Sequence, residues 1–106
     1  MTIGPIGEVN VNDKAAGALV DLEDECAYDF QVIFDLLKGF EGRKHEVGNK
    51  PGQFTQLKPG KKNRYSYLVR DKHNQHDKYH LIFEYEGPGS DGQFTLKLLK
   101  IRKVKL

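Results

Sequence analysis

A chain of 106 residues can bury one hydrophobic core but not two, so a single domain over 1–106 is expected. Its 38% hydrophobic and 10% aromatic content, with six Phe, five Tyr and no Trp, excludes a disordered chain, and no apolar run approaches the length of a membrane span. The formal net charge of +2 conceals a division: residues 1–42 hold nine acidic and two basic side chains (−7), and residues 43–106 hold six and fifteen (+9).

In chain order, "IGEVNV" (6–11) alternates weakly and suits a short edge strand. "NDKAAGALVDLEDECA" follows, with Ala15, Ala18, Leu19, Leu22 and Cys26 at helical spacing and Asn12 or Asp13 placed to accept from a free first-turn amide. Gly17 weakens this helix, since a mid-helix glycine costs about 1 kcal/mol against alanine. The second helix is the stronger of the two. In "YDFQVIFDLLKGFEG", Phe30, Ile33, Phe34, Leu37 and Phe40 line one face, Asp29 suits the first turn, and Gly39 or Gly42 suits the exit. Together they predict an acidic helical hairpin. "GRKHEVGNKPGQ" has the composition of a loop.

From residue 54 the period becomes two. "FTQL" opens a strand that breaks at Pro59-Gly60. "RYSYLVR" sends Tyr65, Tyr67 and Val69 one way and Arg64, Ser66, Leu68 and Arg70 the other. "KYHLIFEYE" sends Tyr79, Leu81, Phe83 and Tyr85 one way and His80, Ile82 and Glu84 the other. "QFTLKLLKIRKV" separates Phe94, Leu96 and Leu98 from Thr95, Lys97 and Leu99. Consecutive strands joined by hairpins predict an antiparallel meander whose apolar face needs the two helices as its cover. The expectation is an α+β fold: a short N-terminal strand and a helical hairpin on one face of a twisted antiparallel sheet of three to four strands.

The chemistry candidates lie mostly in the basic half. His73, His76 and His80 are spaced H-x2-H-x3-H, but two of them fall in a hairpin tip and no further ligand except His45 is at hand, so a solvated tip is expected and no metal. Cys26 falls on an apolar stripe, where thiols are inert packing groups, and a single cysteine allows no internal disulfide. With no basic start or apolar core in "MTIGPIGEVNVND", no signal peptide is expected and the cytoplasm is the expected compartment. Phosphate-cradling glycine loops ahead of a helix are absent, and no cofactor is implied. What remains is the sheet face turned from the helices, with Arg64, Ser66, Arg70, His80, Glu84, Thr95 and Lys97 on it and the runs "KPGKKNR" and "KIRKVKL" at its margins. Lys61, Lys62, Arg64, Arg70 and Arg102 are candidate phosphate contacts, Tyr65 and Tyr79 candidate stacking groups, and His80 with Glu84 a candidate pair for proton transfer. A metal-free ribonuclease needs that combination, and an ordinary solvated face of a half-buried sheet has the same residue types.

The order strand, two helices, three antiparallel strands resembles the RelE/ParE toxin superfamily. "RYSYLV" looks like the family's second-strand motif, "KYHLIFEYE" is similar to its next strand, and "LKLLKIRKV" to its closing strand with a basic end. The resemblance implies a small toxin held by an antitoxin, in a superfamily that includes ribosome-dependent messenger RNA endonucleases and members that act on gyrase instead, with Arg64 and Arg102 on phosphates and a polar role for His80, which stands where the family commonly has arginine. The chain departs from the family at its end, where "RKVKL" carries no catalytic tyrosine. Two other classes fit the same residues: a non-enzymatic protein- or nucleic-acid-binding module acting through the sheet, and an immunity or inhibitor protein acting through the acidic helices.

Overall fold

The computed structural model describes residues 1–57, 63–70 and 77–104. It is an α+β fold in two layers, with two helices against one face of a mixed five-stranded sheet. Strand β1 (Thr2–Ile3) leads into β2 (Ile6–Val11), then α1 (Asp13–Glu25) and α2 (Ala27–Gly39). Strands β3 (His45–Glu46), β4 (Phe54–Gln56), β5 (Arg64–Arg70), β6 (Asp77–Glu86) and β7 (Phe94–Lys103) follow. The large sheet has the order β2-β7-β6-β5-β4. The meander of β5, β6 and β7 is antiparallel as expected, but the sheet is larger than the three to four strands expected and not wholly antiparallel, because β2 joins β7 in parallel. A chain that leaves β2, crosses the face as two helices and returns at the far side arrives with β7 pointing the same way as β2.

Helix α1 starts where Asn12 Oδ1 accepts from the amide of Ala15 at 2.8 Å. It ends at Cys26, whose amide donates to Leu22 O and whose carbonyl accepts from Phe30, so this one residue closes α1 and opens α2. The buried stripe of α1 is Ala15, Leu19 and Leu22, with Gly17 on the exposed side. On α2 it is Ile33 and Leu37, continued by Phe40 beyond the helix. Phe34 was expected on that stripe, but it is 38% exposed and stacks on Phe30 under the Lys38 ammonium. Asp29 occupies the buried side instead.

Beneath the helices lie Tyr65, Val69, Tyr79, Leu81, Phe83, Leu96 and Leu98. The last four are wholly enclosed, and each contributes roughly 1.5–3 kcal/mol through burial. The expected alternation is therefore correct in phase. The segment expected as a loop after α2 contains a strand: β3 pairs with β1, Thr2 opposite Glu46 and Ile3 opposite His45. Gly42, at φ +85°, turns the chain there, and its amide reaches back to Ile6 O at 2.6 Å. Around this corner Phe40, Phe54, Tyr67, Phe83 and His45 form an aromatic cluster with centroids 5.0–5.8 Å apart.

Candidate functional site

Two register shifts decide what the open face of the sheet carries. Between β6 and β7 the pairing runs Phe83 opposite Leu98 and then Ile82 opposite Lys100, so Leu99 is an extra residue in β7. Strict alternation from Leu98 would send Lys100 and Arg102 under the helices and Ile101 into solvent. The bulge reverses this. Ile101 packs against the core, Lys100 stands beside Ile82, and Arg102 stands beside His80 on the open face. Lys97, Lys100 and Arg102 are all exposed there, with His80, Leu68 and Ile82 half-buried beside them.

Further along the same face, Arg64 Nη2 forms an ion pair with Glu84 Oε2 at 3.3 Å, and Lys97 is the cross-strand neighbour of Glu84 on its other side. A hydrogen bond with Glu84, then its charge, pushes the carboxyl of Glu86 up from its ordinary value. The open face is thus cationic towards Arg102 and mixed towards Glu86. Ser66, expected on this face, is enclosed there between Thr55 of β4 and Ile82 of β6.

His80 and Glu84 share this face without sharing a site. Four residues of strand separate them by roughly 13 Å, with Ile82 between. Glu84 is engaged by Arg64 and Glu86 rather than turned towards His80. Tyr65 and Tyr79, expected as stacking groups, are 5% and 4% exposed and lie on the helix side. Lys61 and Lys62, like His73 and His76, lie outside the described residues.

The second shift moves Arg70. Val69 pairs with Tyr79 and Arg70 with Asp77, so Lys78 is the extra residue of β6, and Lys78 and Tyr79 both reach the helix side. There Lys78 Nζ donates to Asp29 Oδ1 at 2.9 Å and Tyr79 Oη donates to Asp29 Oδ2 at 2.8 Å. Burial alone would raise the Asp29 carboxyl, but the hydrogen bonds from Lys78 and Tyr79, the Lys78 charge and the Cys26 thiol together hold it below its ordinary 3.8. Burial and the neighbouring Asp29 carboxylate push the Tyr79 phenol well above its ordinary 10.0. Arg70, expected on the open face, lines a cavity of about 30 Å³ with Tyr28, Asp29 and Lys78. That is room for about one water, so this cluster is a staple between α2 and β6 rather than a ligand pocket.

A larger cleft of about 450 Å³ opens on the helix side where α2 ends, beside β5. Val32 and Leu36 wall it, and Asp35, Arg43, His45 and Tyr67 supply its polar groups. Arg43 Nε donates to Gly39 O at 3.1 Å, which fixes the guanidinium against the last turn of α2. His45 Nε2 lies 2.7 Å from Phe40 O. A carbonyl only accepts, so Nε2 carries a proton. Burial pushes the Tyr67 phenol up, and the Arg43 charge pulls it partly back. Nothing in the residue pattern groups these four side chains, because they come from α2, the turn after it, β3 and β5.

Among the described residues no helix is long and apolar enough to cross a membrane. Comparison of the chain with protein-family models, with curated proteins and with solved structures gives no match, so the RelE/ParE resemblance rests on the motifs quoted above.

Proposed function

We propose that the chain is a cytoplasmic, toxin-like RNA-binding domain that holds single-stranded RNA on the open face of its sheet, and that a cognate antitoxin covers this face in the producing cell. The observation that carries the reading is the row Lys97, Lys100 and Arg102, which the Leu99 bulge brings to one exposed face beside His80. Three unburied cations on a rigid strand suit a phosphate backbone, which they would position without reading sequence. Tyr65 and Tyr79 are enclosed, so among the described residues neither offers a stacking platform on this face, and the recognition proposed is electrostatic. With His80 and Glu84 roughly 13 Å apart, the reading is binding; cleavage of messenger RNA, which the family resemblance implies, needs a different proton-transfer pair.

The test is fluorescence anisotropy with a labelled single-stranded RNA across a salt series. Three neutralised phosphates predict a log–log slope of about −2. The Lys97→Gln, Lys100→Gln, Arg102→Gln variant should lose most of the affinity and most of the slope. Binding that is flat with salt, or unchanged in the triple variant, refutes the assignment. Incubating RNA with the chain, with and without ribosomes, tests cleavage separately.

A second reading, the inhibitor protein, is favoured by α1 and the start of α2. Asp21, Glu23, Asp24 and Glu25 are exposed there beside Val20 at 60% and Tyr28 at 64%. Acids ringing uncovered apolar groups suit a basic protein partner. Pull-down with an Asp21→Lys, Glu25→Lys variant as control separates it from the first reading, since those changes leave the sheet face intact.

A further inference from the structure

The cleft at the end of α2 has features that neither reading above uses. Its volume falls within the range of small-molecule sites, about 300–1,000 Å³, and it joins apolar walls to a few converging polar groups. Arg43 and Asp35 both line it, yet the two do not form an ion pair, and among the described residues Arg43 has no carboxylate partner. Asp35 Oδ1 accepts from Gln31 Nε2 at 2.8 Å, which leaves its second oxygen available. The Tyr67 hydroxyl has no hydrogen-bond partner among the described residues, although burial already disfavours its ionisation. Asp35 and Arg43 are exposed at the cleft and hydrated there, and Tyr67 is half-buried, so all three are accessible to a ligand that enters it.

Arg43 is tethered to the Gly39 carbonyl, one helical turn after Asp35, so the two opposite charges line the same cleft. A cation and an anion on one cleft whose walls include Val32 and Leu36 match a small molecule carrying both charges on one end and an apolar body on the other. We infer that the cleft beside Asp35, Arg43 and Tyr67 binds a free α-amino acid with an apolar side chain. Arg43 and Tyr67 hold its carboxylate, Asp35 holds its ammonium, and the side chain lies on Val32 and Leu36.

The experiment is a titration of the full chain with L-phenylalanine or L-leucine, followed by amide chemical shifts and by calorimetry. Saturable shifts are expected at residues 35–43 and at Gly52, which lines the cleft opposite α2. Arg43→Gln should weaken binding by roughly tenfold or more, the effect of one lost charge-assisted hydrogen bond. Gly39→Leu should abolish it: Gly39 lines the cleft, a Cβ there meets nothing within 4 Å, and leucine is the better helix former, so this variant fills the site without unfolding the chain. Phenylacetate and phenethylamine, each lacking one charge, should bind more weakly than L-phenylalanine. No shift at those amides up to about 10 mM amino acid overturns the inference. So does equal binding by either one-charge analogue, or undiminished binding to a folded Gly39→Leu variant.

Discussion

Asp29 shows how much one side chain can carry when the chain around it is arranged for it. It is 6% exposed, it sits in the first turn of α2 where the helix end favours an anion, and it accepts from two consecutive residues of β6. Removing it leaves the buried Tyr79 hydroxyl unpartnered. Asp29→Ala should cost about 3 kcal/mol in denaturant unfolding at neutral pH, and Tyr79→Phe about 1 kcal/mol. The pH dependence has a definite sign. Because the folded carboxyl is held below its ordinary 3.8, its contribution is complete above that value and is lost as pH falls through the folded one. The stability gap between the wild type and Asp29→Asn should therefore be wide at neutral pH and close below about pH 3.8. Tyr79 acts at the other end. Its phenol is raised above 10.0, so its contribution is complete below that pH and is lost as pH climbs through the higher folded value. Unfolding midpoints of wild type and Tyr79→Phe should converge in strong alkali.

At the scale of elements, the strands were legible in the sequence because apolar residues alternate, and the alternation gave the right phase from Tyr65 to Leu98. What alternation does not supply is the position of an extra residue. The Leu99 bulge did leave a trace: apolar residues at 94, 96 and 98 are followed by Ile101, an interval of three that a regular strand does not make. Arg102 was singled out by family resemblance, and the bulge is the physical reason it stands on the open face. The Lys78 bulge left no such trace, since polar residues precede it on every side, and for that reason Arg70 was expected on the wrong face. The parallel β2 was hidden for another reason. A six-residue strand reads the same in either direction, and its partner is set by how the helices route the chain. These points predict the effect of deletions. Deleting Leu99 should leave a folded protein, because the residues on either side keep their faces. Deleting Lys97 should not, because it turns Leu96 or Leu98 into solvent. Amide spectra of the two variants distinguish them at once.

For the whole molecule, the division of charge along the chain becomes a division in space. The acidic residues 1–42 supply the helical layer and the edge strand β2, and the basic part supplies β5, β6 and β7. The candidate nucleic-acid surface therefore faces away from most of the negative charge. The polyanion proposed for the sheet side and the basic protein proposed for the helix side would therefore meet different surfaces, and the two readings need not compete. The candidate catalytic pair was misread although the sequence held the answer: a strand over "KYHLIFEYE" already sets His80 and Glu84 four residues, roughly 13 Å, apart.

The position of β7 has a consequence for how the molecule comes into being. It comes last in chain order among the described strands, yet it lies between β2 and β6 and completes both. A nascent chain that has reached Gln93 has two strand edges facing an empty slot, and the helices have half a surface to rest on. Such a chain should gain little by folding while its final strand is still in the ribosome, and its open edges invite pairing with other chains. A chain ended at Gln93 should be digested by protease at the rate of an unfolded polypeptide. Adding residues 94–104 as a separate peptide should restore protection if the slot alone is what is missing.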